Sequence, residues 1–267
     1  MSSAEERTAR EPASGKATEI WQFRPWRAKG HLRHFWDQLF LLDAWRTAVV
    51  AVRYLWFARL RRRLRLHQAA DDGVAPKTVE HNLRGLRDFG AARTNALLRP
   101  LSMIERIPQD ARILSVGPRS EGELFGLAAH GFHLRNVRGI DLISYSPRVD
   151  LGDVHRLPYP DGSFDAVVCG WVLAYSDRKR RAAEEIVRVC RRGGVVAVAV
   201  EHRPASVEAV AAELGYVPGS SERIIDLEGL LALFRPAVDE VLFAQQPGEA
   251  RSHRLASIVA IFSTAGS

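Results

Sequence analysis

The sequence predicts an α/β protein: a seven-stranded, mostly parallel sheet with helices on both faces, closing in a C-terminal antiparallel hairpin and preceded by a helical extension. Three observations predict it. From residue 112 onward, short and continuously apolar segments alternate with helical stretches, the pattern of strands covered on both sides. The first segment, Arg112–Val116, runs into a turn at Gly117-Pro118 and then a helix opening at Glu121. A strand, a glycine turn and a helix N-terminus together cradle nucleotides, because backbone N–H groups can approach the ligand and the helix dipole favours negative charge. The second segment ends in an acid, Gly139-Ile140-Asp141-Leu142. Asp141 lies 24 residues after Gly117, near the ~20 expected of a ribose-binding carboxylate.

The 267 residues suit one large α/β domain plus an extension, and 46% apolar with 26% charged residues are ordinary globular values. The net charge of +7 is unevenly placed. Residues 1–70 hold 14 Lys+Arg against 6 Asp+Glu, whereas residues 71–267 hold 24 against 25. The basic character therefore belongs to the extension. Cys169 and Cys190 show no metal-ligand spacing and read as inert core thiols of a reducing, cytoplasmic setting.

Taken in order, residues 1–30 are a tail and arm: a polar, disordered stretch without a secretory signal, then IWQFRPWRAKG, broken by Pro25 and Gly30. Residues 31–70 form a basic, apolar helical extension. His31 to His67 contains no Pro or Gly and reads as one or two long helices. Asp43, Arg46 and Arg53 make a polar stripe within about 80° on the helical wheel of a broadly apolar body. Leu39 to Ala58 is long enough to span a bilayer, but those three charges would each cost about 2.5–3.5 kcal/mol near its centre. Three roles remain: packing on the main domain or a second copy (a homodimer), peripheral contact with a membrane surface, and nucleic-acid binding through Arg59–Arg65, the least favoured. Asp71-Asp72-Gly73 marks a boundary, and residues 77–267 are the main domain.

That domain opens with helical stretches at Thr78–Phe89 and Ala91–Arg106. The elements then run as strand Arg112–Val116, helix Glu121–His130, strand Asn136–Ile140, a loop through Tyr145 and Pro147, and a short strand at Val149–Leu151. Next come a breaker-rich turn, Pro158–Ser163, strand Phe164–Cys169, and helix Lys179–Arg191 stopped by Gly193-Gly194. Strand Val195–Val200, helices Val207–Leu214 and Leu227–Phe234, and strands Val238–Ala244 and Ala256–Phe262 complete the chain.

Two further segments carry a resemblance. The run Gly152-Asp153-Val154-His155-Arg156-Leu157-Pro158-Tyr159-Pro160-Asp161-Gly162-Ser163-Phe164-Asp165-Ala166-Val167, and the run Ala182 to Gly194 that contains Glu184-Glu185-Ile186-Val187-Arg188-Val189, are similar to ordered motifs of class I S-adenosylmethionine-dependent methyltransferases of the type 11 kind. The likeness covers residues 108–200 well, the last 65 weakly, and residues 1–76 not at all. It implies the Rossmann-like class I methyltransferase fold and S-adenosyl-L-methionine as cofactor. It also implies roles: Gly117 in the cofactor turn, Asp141 on the ribose hydroxyls, Leu142 against adenine, Asp153 and the Val154 N–H on the adenine edge. Gly170 and Trp171 would border the methionine end and the substrate. Ordinary readings stand beside these, namely turn or cap carboxylates for Asp141 and Asp153 and a core residue for Trp171.

The first motif departs from the family pattern. An acid is expected where Ser115 stands, and glycines where Arg119 and Glu121 stand. Either Arg119 pairs with an anionic group of the cofactor or substrate while Glu121 or Glu123 supplies the missing acceptor, or the domain is a degenerate scaffold that binds a partner. For catalysis, His202 after the fifth strand is the candidate base, with Glu201 beside it, and Tyr175 is a candidate substrate contact. The matching place after the fourth strand reads Cys169-Gly170-Trp171-Val172 rather than Asn/Asp-Pro-Pro-Tyr. The resemblance therefore points to a small-molecule, sugar or lipid acceptor, with oxygen favoured, and argues against a nucleic-acid base.

Overall fold

A computed structural model describes residues 38–67, 94–202, 223–248 and 256–266, together with 79, 80, 82, 83, 86 and 212. The expected tail and arm, the boundary at 71–76 and the helix at Val207–Leu214 (apart from residue 212) lie outside the described residues.

Helix α1 (Asp43–Tyr54) continues as a π-helix, Leu55–Leu60. There follow β1 (Arg65–Leu66), α2 (Asn95–Ser102), β2 (Ile113–Val116), α3 (Gly122–Ala129), β3 (Val137–Asp141), β4 (Ile143–Ser144) and β5 (Val149–Leu151). Then come β6 (Phe164–Gly170), α4 (Lys179–Val189), β7 (Cys190–Glu201), α5 (Leu227–Ala232), β8 (Val238–Gln245) and β9 (Ser257–Thr264). Seven strands form one sheet in the order β5-β3-β2-β6-β7-β9-β8. The first five are parallel, and β9 enters antiparallel between β7 and β8. This is the Rossmann-like methyltransferase fold.

The parallel strands carry no polar face because both faces are covered. One core lies under α4 and α5, with Leu114, Val167, Ile186, Val198 and Phe262. The other lies under α2 and α3, with Leu98, Ile113, Leu124, Val168 and Ile261. The two segments that resemble family motifs meet through one side chain. Arg188 of α4 donates to the carbonyls of Leu157 (2.9 Å) and Tyr159 (2.8 Å) and pairs with Asp161 and Glu185. Glu185 in turn accepts the Leu157 N–H at 2.8 Å. The helix thus pins the breaker-rich turn that feeds β6.

Three elements differ from the sequence reading. The extension is not helical to His67. The helix ends at Leu60, Arg62 takes a left-handed φ of 49°, and β1 pairs antiparallel with β4 in a stretch expected to be loop. Gly193-Gly194 does not stop α4, which gives way at Cys190 to a strand that runs through the glycines with an irregular register beside Phe164–Ala166. The second leading helix spans only Asn95–Ser102.

Of the polar stripe of α1, Arg46 and Arg53 turn inward while Asp43 stays largely in water. Arg46 is buried, donating to the Phe40 carbonyl (2.7 Å) and pairing with Asp43. Arg53 makes a two-bonded pair with Glu121, Nε–Oε2 at 2.6 Å and Nη2–Oε1 at 2.8 Å. Phe40 stacks on Phe125 at 4.7 Å, and Tyr54 meets Tyr145 edge-on at 5.2 Å. Helix α3 is consequently buried on every side, as an all-apolar helix must be.

Glu121 has no exposed surface. Arg53→Met should therefore destabilise the fold by about 3 kcal/mol, the low end for a broken buried pair because part of Arg53 stays in water. The double variant Arg53→Met/Glu121→Met should recover most of that loss, and urea unfolding of the three proteins checks it.

Candidate functional site

The carboxyl ends of the parallel strands gather the site. From β2 the sheet is built outward in two directions, to β3 and β5 on one side and to β6 and β7 on the other. In open α/β sheets the crevice at such a switch point takes ligands. Here it is flanked by the turn Gly117–Ser120 after β2 and by Gly170-Trp171 after β6. Gly117 takes φ +69°, and a Cβ there would lie 2.2 Å from Val172 Cγ2, so glycine is required by both conformation and space. Arg119 (φ 51°) and Trp171 (φ 65°) are left-handed without being glycine. Backbone of this kind costs of order 1–3 kcal/mol and clusters at functional sites.

Asp141, at the end of β3, closes the turn from below. Its Oδ2 accepts the Arg119 N–H at 3.0 Å and its Oδ1 accepts the Ile143 N–H at 3.1 Å. Burial pushes its carboxyl up, opposed by those two hydrogen bonds and by the nearby Arg119 charge. Gly152 N–H donates to the Asp141 carbonyl at 3.0 Å, which brings Asp153 to the same edge. Leu142 is half-buried and its carbonyl accepts from His67 N–H at 2.8 Å, so the extension borders this side of the site.

Asp153 is only partly buried. Its Oδ1 accepts from the His155 N–H (2.9 Å) and bonds His155 Nδ1 (2.6 Å), while Oδ2 has no hydrogen bond among the described residues. Burial pushes this carboxyl up, but the His155 bonds outweigh it and the net direction is down. His155 is fixed at its other nitrogen by Ser176 Oγ at 2.6 Å. Val154 is buried.

The position expected to be acidic, Ser115, is a buried serine whose hydroxyl bonds Glu123, a carboxylate from the first turn of α3. Burial raises the Glu123 pKa from 4.5 to about 7, with the Ser115 hydrogen bond working against the shift and the Asp141 charge adding to it. Its Oε2 faces Gly170, 3.8 Å from where a Cβ would stand. Glu121 points elsewhere: besides Arg53, its Oε1 accepts from Ser146 Oγ at 2.5 Å.

Beyond β6, Trp171 is a buried residue whose indole Nε1 donates to Ser257 Oγ at 3.1 Å and whose N–H donates to the Ala199 carbonyl. Tyr175 OH donates to Glu201 Oε1 at 3.4 Å. His202, just past β7, has a buried Nδ1 with no hydrogen-bond partner among the described residues. Cys169 and Cys190 are free and buried. Among the described residues no group of three or more His, Cys, Asp or Glu side chains could hold a metal ion, and no helix is long and apolar enough to cross a membrane.

Sequence reasoning named Ser115 and Glu123 but missed their contact, the Ser176–His155 contact and Arg53 as the partner of Glu121. A signal for the last was present. The run Gly-Glu-Leu-Phe-Gly-Leu-Ala-Ala of α3 has no solvated face, so something outside the core motifs had to cover it.

Known proteins resemble the chain in part. Residues 115–198 match the family described as "Methyltransferase domain". Uncharacterized proteins of Mycobacterium tuberculosis and Mycobacterium bovis are each 30% identical over 137 residues, covering 46% of this chain and 50% of the relative. The chain thus spans about half the length of the curated relatives it matches. Solved structures include the Haloferax volcanii chain in complex with the Trm112 methyltransferase activator, at TM-score 0.49 and 16% identity, covering 73% of this chain and 98% of that one. The N-methyltransferase NodS of Bradyrhizobium japonicum gives 0.44 and 17%, covering 73% and 99%.

Glu123 makes stability depend on pH. Between pH 4.5 and 7 the unfolded chain has released the Glu123 proton while the folded chain keeps it, so stability falls as pH rises through that window, by about 3 kcal/mol in all. Glu123→Gln should flatten this part of the curve and raise the Tm at pH 8, as thermal unfolding across pH would show.

Proposed function

From the match of residues 115–198 to the methyltransferase-domain family, we propose that the chain is an S-adenosyl-L-methionine-dependent methyltransferase acting on an oxygen of a small-molecule, sugar or lipid acceptor. One observation carries the reading: Asp141 sits directly under the glycine turn with one hydrogen bond on each oxygen. A carboxylate offers about four acceptor sites. The N–H groups of Arg119 and Ile143 take two of them and the Leu142 N–H lies close to the same carboxyl; the capacity left over would serve the ribose hydroxyls.

The rest of the edge fits the same cofactor by its chemistry. Asp153 Oδ2 is available to an adenine amino group, with Leu142 and Val154 flanking the base. Glu123, carried on α3 instead of on β2, supplies an acceptor for the methionine ammonium beside Gly170. Arg119 supplies a cation for the methionine carboxylate at the mouth of the turn. Glu121 is part of the cofactor turn through its backbone, since its carboxylate is held by Arg53.

When bound, the cofactor supplies a sulfonium methyl group whose transfer leaves a neutral thioether, so no acid is required. The chain's tasks are alignment of the acceptor and removal of its proton. His202 is the proposed base, since its Nδ1, at the carboxyl end of β7, is unpartnered among the described residues. Tyr175, held by Glu201, and Trp171, held by Ser257, shape the acceptor side.

A second reading keeps the fold without the reaction: a degenerate scaffold that binds a partner through its extension. The rebuilt turn, with Arg119 and Glu121 at glycine positions and Glu121 already paired, favours it. S-adenosylhomocysteine separates the two. At 100 times its Kd a true ligand stabilises the fold by about 2.7 kcal/mol. We expect a clear rise in Tm with the wild type and at least tenfold weaker binding by Asp141→Asn, which keeps the side-chain volume. No shift at millimolar S-adenosylhomocysteine would leave the scaffold reading in possession.

A further inference from the structure

We infer that the outward face of α1 and its π-helical continuation docks on an anionic lipid bilayer. The polarity of this helix is inverted. Of its charged stripe, Arg53 is spent on Glu121 of the domain and Arg46 is buried against Phe40 and Asp43; apart from Asp43 at its start and Arg59 near its end, the large residues turned away from the domain are apolar. Leu42, Trp45, Val52, Leu55, Trp56 and Leu60 lie on that outward side, with Val52 66% and Leu60 67% exposed. A helix packed on a soluble domain normally shows the opposite arrangement, and one with apolar residues outward needs an apolar phase against it. Tryptophans at the edge of such a face suit the headgroup boundary, where an apolar ring and a polar N–H are both satisfied.

Charge selects the phase. Arg59, Arg61, Arg62, Arg63 and Arg65 are exposed at the end of the face, and none makes an ion pair with a described carboxylate. Arg61 lies over the Trp56 ring at 5.3 Å, so cation and aromatic present together. Between Asp43 and Asp71 the sequence has no acidic residue. A second copy of the face would offer these arginines one carboxylate, Asp43, already paired with Arg46, whereas lipid phosphates offer a dense row of counter-charge. A polynucleotide would satisfy the arginines but leave the leucine and valine side chains without an apolar partner. The helix is too short and too charged to cross the bilayer, so it lies in the plane of the surface.

The arrangement has a geometric consequence. The inner side of the same helix grips Glu121, and β1, which contains the last of these arginines, pairs with β4, beginning two residues after Asp141. The bilayer would therefore lie alongside the glycine-turn edge of the sheet. This surface stands independently of the methyltransferase reading.

The test uses the full chain and extruded vesicles of phosphatidylcholine with or without phosphatidylglycerol. We expect co-sedimentation with the phosphatidylglycerol vesicles that weakens as salt rises, accompanied by a blue shift of tryptophan emission. Leu55→Glu/Leu60→Glu should lower partitioning at least tenfold without lowering the Tm, because neither side chain packs on the domain. Arg59→Glu/Arg61→Glu should erase the preference for phosphatidylglycerol. If the double leucine variant fails to fold, the wild-type emission shift and its salt dependence decide alone. No vesicle binding at low salt overturns the inference. So does a dimer that the leucine variant abolishes while vesicles are ignored, and so does polynucleotide binding that displaces the vesicles and survives that variant.

Discussion

A carboxylate with no exposed surface must be neutralised, and in this protein Glu121 is such a group. It stands where the first turn enters α3, and its cation, Arg53, comes from an element 68 residues earlier in the chain. Much of the architecture follows from that pairing. To deliver a guanidinium inward, α1 must turn its polar stripe to the domain. The guanidinium also lies over the rings of Phe57 (5.0 Å) and Phe125 (5.7 Å), which ties charge neutralisation to packing. With its outer side covered, α3 has no need of a solvated face and carries none.

The same economy of charge shapes the strand ends. Three acids, Glu123, Asp141 and Asp153, sit along one edge under different constraints. Asp153 is kept ionised by His155. Asp141 is held by two backbone N–H groups that partly offset its burial. Glu123, buried and feeling the charge of Asp141, titrates near neutrality. A carboxyl held near pH 7 is poised to ionise when a cation arrives, so binding of an ammonium there would release a proton. The Glu123 carboxyl thus stands at the start of α3 while Ser115 keeps a neutral, hydrogen-bonded strand end.

Much of the fold was legible in the sequence because it rests on local rules. Continuous apolar runs such as Val195–Val200 can only be strands buried on both faces, and Gly117 and Pro158–Ser163 punctuate unambiguously. Asp141 and Asp153 were legible as a pair through their spacing from those turns. What escaped depends on partners distant in sequence. No propensity announces that Arg65-Leu66 will pair with Ile143-Ser144, or that the strand after α4 begins at Cys190 and absorbs two glycines. The Ser115–Glu123 exchange was half visible, since both residues were noted. That they touch is a property of the helix following the strand at one particular angle. The polar stripe of α1 was visible too, but its direction was not, because periodicity fixes a face and only tertiary contact decides where that face points.

The departures of the first motif and the presence of the extension are best understood as one change. Replacing a glycine by Glu121 at the mouth of the helix would, in an isolated domain, bury an unpaired charge and cost several kcal/mol. Replacing another by Arg119 forces a side-chain-bearing residue into left-handed backbone. Both become tolerable when Arg53 neutralises the first and the Asp141 carboxylate accepts the N–H of the second. The converse also holds: without Glu121, the inward guanidinium of Arg53 would lose its counter-charge and α1 its reason to lie with its polar side down. Each of these two residues therefore has a matched partner in the fold, Arg53 for Glu121 and Asp141 for the Arg119 N–H. The coupling reaches the site itself, because the turn held from outside by Arg53 is the turn held from below by Asp141. The outer face of α1 is thus joined to the turn above Asp141 by the Arg53–Glu121 pair together with the Phe40–Phe125 and Tyr54–Tyr145 contacts.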